Sequence, residues 1–204
     1  MVQELPQNTT LTGQWRRNCR KTQYWRDNGA GTATKHILRD IHYARRHDLV
    51  KDAIRYIANR YGITVTNEPT FYDYEGGQHN RPDLTFCVPY KRCYIATYIT
   101  VVQPNPKPGV ENIGAAAAHA AQEKIKKHTN AVSRRDHQFI PFASETTGDF
   151  DRDARNLIKE LQMVMPFSRK IPFSRDMYGA VSTALAEYRA EVVINALTRA
   201  RTMK

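Results

Sequence analysis

One acidic residue near the middle of the chain has the surroundings needed for metal-dependent cleavage of phosphodiester bonds. Arg81-Pro82-Asp83 opens a short apolar run and follows a loop that contains Gly76 and Gly77. Carboxylates are preferred ligands of Mg²⁺, and a residue at the end of a strand beside a loop is accessible to a metal ion. Asp83 is therefore a candidate metal ligand and catalytic residue, although a Pro-Asp pair more often marks a turn.

The elements that would position Asp83 alternate between helix and strand. Four segments show the three- and four-residue spacing of apolar side chains that predicts helices: 34–61, 111–132, 149–165 and 177–202. Four short runs rich in β-branched or aromatic residues predict strands: 63–66, 82–88, 93–102 and 138–143. Gly62 is expected to end the first helix, and Pro166 and Pro172 to separate the last two.

This order predicts an α/β fold with a three-strand meander, which a fourth strand joins through a right-handed crossover. We expect a basic, aromatic-containing arm at residues 1–33 and an α/β core at 34–165. A basic C-terminal helix follows at 166–204.

The ordered set of motifs resembles the endonuclease domain of site-specific non-LTR retrotransposons, which belongs to the PD-(D/E)xK superfamily with its restriction-endonuclease-like core. The resemblance covers roughly residues 36–202. It rests on five motifs and the final helix from Met177: Asn67-Glu68-Pro69, Arg81-Pro82-Asp83, Tyr98-Ile99-Thr100-Val101-Val102, Glu123-Lys124-Ile125-Lys126-Lys127-His128 and Glu145-Thr146-Thr147-Gly148.

The resemblance implies roles for four residues. Asp83 would be the first metal carboxylate, Lys124 or Lys127 the catalytic lysine, and Glu68 an auxiliary ligand of Mg²⁺. Plainer interpretations stand beside these roles. The two lysines could form a solvated basic face or contact phosphate, and Glu68 could be solvated or paired with Arg81.

The chain departs from the family at the third strand. The family has a carboxylate before its Val-Thr, where this sequence has Tyr98, and no Asp or Glu lies between Asp83 and Glu111. A phenol stays protonated near neutral pH and is a poor ligand for Mg²⁺. Either the chain has kept the fold and lost the chemistry, or another carboxylate enters the site: Glu68, Asp73 or Glu75.

The charge of the chain points to a polyanionic partner. The formal net charge is +11, and each phosphate that a cation neutralises releases counterions. Residues 1–60 hold 12 Lys/Arg against 5 Asp/Glu, residues 61–165 hold 12 against 12, and residues 166–204 hold 7 against 3. The excess therefore lies in the flanks, where DNA, or alternatively RNA, could bind; simple solubility is the plainer explanation.

Cations and aromatic rings interleave in the N-terminal arm, a composition that suits phosphate contact and stacking on bases. Together with the first helix, it supplies the candidate nucleic-acid-binding residues: Arg16, Arg17, Arg20, Lys21, Trp25, Arg45 and Arg46. Alternatively, Trp15 and Trp25 dock on the domain itself.

Three cysteines are too few for a disulfide scaffold, and no apolar run approaches the roughly 18 residues that span a bilayer. We expect an intracellular protein that is not inserted in a membrane, and a nuclear location in view of the resemblance. We expect it to bind nucleic acid through a nuclease-like fold with impaired or absent cleavage. The alternatives are an active Mg²⁺-dependent DNA endonuclease and a structural component of a ribonucleoprotein.

Overall fold

The computed structural model describes residues 31–69, 81–89, 92–104 and 113–202. The chain divides into two compact units, Met1–His42 and Tyr43–Lys204. Of the first unit, the described part is a helical backbone from residue 31 onward, so the predicted arm lies almost wholly outside the described residues. The second unit contains every strand of the described ranges.

Helices and strands follow one another along these ranges in the predicted order. The helices are α1 (Gly31–Arg60), α2 (Ala115–Ser133), α3 (Arg152–Met163) and α4 (Phe167–Thr202). The strands are β1 (Val65–Asn67), β2 (Leu84–Val88), β3 (Cys93–Thr97), β4 (Ile99–Val102), β5 (Gln138–Phe139) and β6 (Phe142–Glu145). The mixed α/β class that the sequence predicts is confirmed. Gly62 adopts a φ of 81° directly after α1, as expected of a helix-ending glycine.

The strands combine antiparallel and parallel pairing. β1, β2 and β3 form the predicted antiparallel meander, with Leu84 opposite Thr97. β5 pairs parallel to β3, with Ile95 opposite Gln138, and β6 pairs parallel to β4. Parallel neighbours need a crossover connection, and α2 lies within it.

Two predicted strands are each divided in two, at Tyr98 and around Pro141. Pro141 has no backbone N–H to donate to a neighbouring strand. At the other break, the N–H of Ile99 donates to the carboxylate of Asp83 at 2.6 Å. The pairing register is the same before and after both breaks. They are therefore local interruptions of one pair of strands.

Helices cover both faces of the sheet, and neighbouring residues of β6 show this. Phe142 belongs to the large apolar cluster that α1, α3 and α4 share with the strands. Ala143 points to the opposite face and packs against Ala117 and Ala121 of α2. Since alanine side chains are small, α2 can approach the sheet closely.

The last helix is part of the core. Phe173, Met177 and Leu185 are almost completely buried in the large cluster. The ring of Phe173 meets that of Tyr61 edge-on, with 5.3 Å between centroids. These contacts join α4 to the end of α1.

The prediction that Pro172 separates two helices is wrong, since α4 begins at Phe167 and contains Pro172. A proline inside a helix removes one hydrogen bond and costs about 3 kcal/mol. Burial of Phe173, the next residue, and of Met177, about one turn further along, is large enough to offset that cost. Within the described ranges, no helix is both long and apolar enough to cross a membrane.

Phe173→Ala is expected to lower the free energy of unfolding by about 3–5 kcal/mol, because it removes a fully buried ring and leaves a cavity. Urea unfolding followed by circular dichroism measures this loss. Phe167→Ala is the matched control: this ring is 90% exposed in the same helix, and its loss should change stability by less than about 0.5 kcal/mol. Equal, small effects of both variants would contradict a core role for α4.

Candidate functional site

Asp83 stands directly before β2 and joins a helix to the sheet. Its Oδ2 accepts the N–H of Ile99 at 2.6 Å and lies 3.1 Å from Nε2 of His47 on α1. The backbone N–H of Asp83 donates to the carbonyl of Thr97 at 3.0 Å. Asp83 is thus bonded to both chain neighbours of Tyr98, and one oxygen of its carboxylate already has two partners.

Further charged side chains extend this arrangement along α1. Nδ1 of His47 lies 3.2 Å from Oδ1 of Asp48. Nζ of Lys51 lies 3.4 Å from the same oxygen and 2.7 Å from Oε1 of Glu68. Acids and bases therefore alternate in a chain that we name the Asp83 network: Asp83, His47, Asp48, Lys51 and Glu68.

The network holds its two bases in their charged forms. Burial alone lowers the pKa of His47, but hydrogen bonds with Asp48 and Asp83 outweigh it and raise the pKa to about 9. Burial also opposes the charge of Lys51, but its bond to Glu68 and the charge of Asp48 raise its pKa. The bond to His47, followed by the charge of Lys51, lowers the pKa of Asp48. His47 and Lys51 therefore carry positive charges at neutral pH.

Glu68 itself is held by its backbone as well as by Lys51. Its N–H donates to the carbonyl of Asp83 at 3.0 Å, which continues the pairing of β1 with β2. Its φ of 45° lies in the left-handed region, an uncommon conformation for a residue other than glycine. The structure shows this carboxylate paired with Lys51 rather than with Arg81, the partner suggested by the sequence.

Tyr98 occupies the position where the resemblance implies a second carboxylate. It is 5% exposed, and its ring is stacked on that of His128 with 3.7 Å between centroids and 13° between planes. Nζ of Lys124 lies 5.4 Å from the centre of the Tyr98 ring, within cation–π range. An aromatic stack therefore occupies the position where the resemblance implies an acid.

The two lysines of α2 that the resemblance makes candidates differ in their surroundings. Lys124 is half-buried, and burial lowers its pKa, an effect that the charge of Asp83 partly opposes. Lys127 is exposed one turn further along. Burial, then the charges of Lys124 and Lys127, lower the pKa of His128 to about 4. Lys124 is thus close enough to Asp83 for the charge of that carboxylate to act on its pKa.

Glu145, the remaining acid of the family motifs, serves α2. Its carboxylate is buried and accepts the N–H of Ala116 at 3.1 Å, in the first turn of the helix. A carboxylate at this position satisfies a backbone donor and complements the helix dipole. Glu145 lies opposite Val102, at the far end of the β4–β6 pairing. It is a capping residue.

Arg45 and Arg46 both contact α4. Arg45 makes two hydrogen bonds to the carboxylate of Glu191, at 2.8 and 3.3 Å. The guanidinium of Arg46 lies 5.2 Å from the ring of Tyr43 and 5.7 Å from that of Tyr188. The other residues predicted to bind nucleic acid lie outside the described ranges: Arg16, Arg17, Arg20, Lys21 and Trp25.

The described donor set does not fit Mg²⁺. This ion needs near-octahedral oxygen ligands, usually with carboxylates among them. One oxygen of Asp83 is held by two donors, Glu68 is held by an ammonium, and a stacked ring occupies the position where the resemblance implies a second acid. Among the residues that the structure describes, no group of three His, Cys, Asp or Glu side chains could hold a metal.

The sequence did not identify His47, Asp48 or Lys51 as part of the site. The i,i+4 spacing of His47 and Lys51 was the available signal, because it puts both on one side of a helix.

The chain matches no model of a known protein family, and a search of curated proteins finds no relative.

The raised pKa of His47 predicts a loss of stability at high pH. The folded state binds the proton of His47 more tightly than the unfolded state does. The resulting stabilisation of the fold is therefore complete below pH 6.5, the ordinary pKa, and is lost as pH rises through about 9. The shift corresponds to about 3 kcal/mol. Urea unfolding of wild type and His47→Gln across this range measures it. The variant should lack this pH-dependent loss; parallel curves would contradict the pairing.

The lowered pKa of His128 predicts the opposite dependence on the acid side. The folded state resists protonation, so stability should fall as pH drops from 6.5 toward about 4 and be unaffected above that window. His128→Phe keeps a ring to stack on Tyr98 but cannot titrate. Its unfolding curves should therefore decline less than those of wild type across this window. An identical decline would contradict the assignment.

Proposed function

We propose that this chain has a restriction-endonuclease-like α/β core, binds nucleic acid and does not cleave it. The Asp83 network carries this proposal. His47 and Lys51 neutralise the carboxylates that would otherwise attract a divalent ion. Tyr98, the position where a second acid would complete a metal site, is buried in a stack with His128.

The topology supports the kind of core proposed. A helix, an antiparallel meander, a second helix and a parallel strand follow in the order that the resemblance implies. Asp83 stands at the start of β2, and Lys124 stands on the helix after the meander. Both positions match the motifs on which the resemblance rests.

The charge supports the kind of ligand. The net charge of +11 attracts a polyanion and favours association through counterion release. Since acids and bases balance within residues 61–165, the range that contains Asp83, the attraction comes chiefly from the flanks. Binding should therefore not depend on Asp83.

An Mg²⁺-dependent endonuclease is the second candidate function. Lys124 favours it, because a half-buried lysine with a lowered pKa near Asp83 is suited to orient or activate water. An ion ligated by Asp83 would have to compete with His47 and the N–H of Ile99 for the carboxylate. That competition makes binding without cleavage the better supported function.

Labelled duplex DNA, single-stranded DNA and RNA, titrated with the full chain and followed by fluorescence anisotropy, test the proposal. We expect the logarithm of the affinity to fall linearly and steeply with the logarithm of salt concentration. Asp83→Asn should bind as tightly as Asp52→Asn, which removes the same charge from an exposed position on α1. Absent or salt-independent binding would overturn the proposed function.

The same samples, incubated with supercoiled plasmid and Mg²⁺ or Mn²⁺, distinguish the two candidates. We expect no metal-dependent nicking by wild type or by either variant. Nicking that Asp83→Asn abolishes and Asp52→Asn retains would establish the endonuclease and refute binding without cleavage.

A further inference from the structure

Two aromatic rings meet at the opposite end of the sheet from Asp83. Tyr94, the second residue of β3, is 44% exposed. Its ring centroid lies 5.0 Å from that of His137, which directly precedes β5, with the planes tilted by 45°. The parallel pairing of β3 with β5 explains why these rings are neighbours, because Ile95 lies opposite Gln138.

Arginines flank both rings along the chain. Arg92 is exposed in the turn before β3, where its φ is 50°. Arg134 and Arg135 are exposed at the end of α2, just before His137. Among the described residues of these two turns, Asp136 is the acid, so three guanidinium groups accompany one carboxylate. Both turns carry positive charge beside an accessible ring.

The imidazole of His137 suits stacking. Burial, followed by the charge of Arg135, lowers its pKa, so the ring is neutral at physiological pH. A neutral ring next to Tyr94 widens the aromatic surface without adding a charge that needs hydration. The positive charge of this surface comes from the guanidinium groups of the flanking arginines instead of from His137.

This surface is separate from the Asp83 network. Tyr94 lies opposite Cys87 near the end of β2, whereas Asp83 stands before the first residue of that strand. Four residues of extended strand span about 14 Å. A substitution at Tyr94 therefore leaves the contacts of Asp83 in place.

We propose that Tyr94 and His137 form a platform on which an unpaired base of a single-stranded nucleic acid stacks, while Arg92, Arg134 and Arg135 contact the adjoining phosphates. The inference rests on the proposed function and names the form of its ligand. In a duplex each base face is covered by the neighbouring base pairs, so a surface ring cannot stack on it. In a single strand the faces are open, and exposed rings among cations are the means by which proteins bind them.

The test compares the affinity of the full chain for a short labelled single strand, as DNA and as RNA, with its affinity for a duplex. Tyr94→Ala should weaken single-strand binding by at least about fivefold, the effect of losing one stacked ring. Its duplex binding should stay within about twofold of wild type, because no base is stacked there. Tyr94→Phe keeps the ring and should bind the single strand as wild type does.

Tyr56→Ala is the matched control, because this tyrosine is 64% exposed on α1 and lies outside the platform. It should leave single-strand binding unchanged. Arg135→Gln should reduce the slope of log affinity against log salt for the single strand by about 0.7, the value for one lost phosphate contact.

Each outcome separates the inference from the proposed function. If wild type binds no nucleic acid, the proposed function fails and the platform with it. If wild type binds but Tyr94→Ala binds the single strand as tightly, the platform alone is refuted. An equal loss on single strand and duplex would also refute stacking, since it would show a general effect of the substitution.

Discussion

The carboxylate of Asp83 is the contact on which the arrangement of the second compact unit depends. It accepts the N–H of Ile99 and pairs with His47, so it links α1 to the point where β3 gives way to β4. A carboxylate that is only 18% exposed needs such partners, because its unpaired burial would cost several kcal/mol. The strand is interrupted at Tyr98, where the N–H of Ile99 donates to this carboxylate, and His47 reaches the same oxygen from α1.

Ion pairs of this kind fix the relative positions of their side chains more than they raise the free energy of unfolding. Removing charges from water costs about as much as their attraction returns, whereas removing one partner leaves the other uncompensated. In the Asp83 network, His47, Asp48 and Lys51 each have two partners of opposite charge. An imidazolium and an ammonium neutralise carboxylates as a metal ion would, yet neither acidifies a bound water as a metal does.

The parts that the sequence predicted are those that depend on local patterns. The apolar spacing along α1 and the β-branched runs of the meander identify their elements because neighbouring residues determine them. The break at Tyr98 was not predictable, since it arises from a carboxylate 16 residues away. The effect of Pro172 was predicted wrongly for a similar reason. Burial of Phe173 against the distant end of α1 outweighs the free-energy cost of a proline inside the helix. Asp83 was singled out by its motif, and its role stays a prediction, whereas its partner His47 is evident only from the packing of α1 on the sheet.

Tyr98 also bears on the attraction of a polyanion. A second carboxylate beside Asp83 would repel phosphate unless a metal ion neutralised it. With a tyrosine in its place, Asp83 and Glu68 are neutralised by His47 and Lys51, and the cations of the flanks act without an opposing acidic cluster. A tyrosine at this position, where the resemblance implies a carboxylate, thus supplies neither a metal ligand nor a repulsive charge. When a nucleic acid binds as proposed, a tyrosine at this position favours retention of the intact strand over its cleavage.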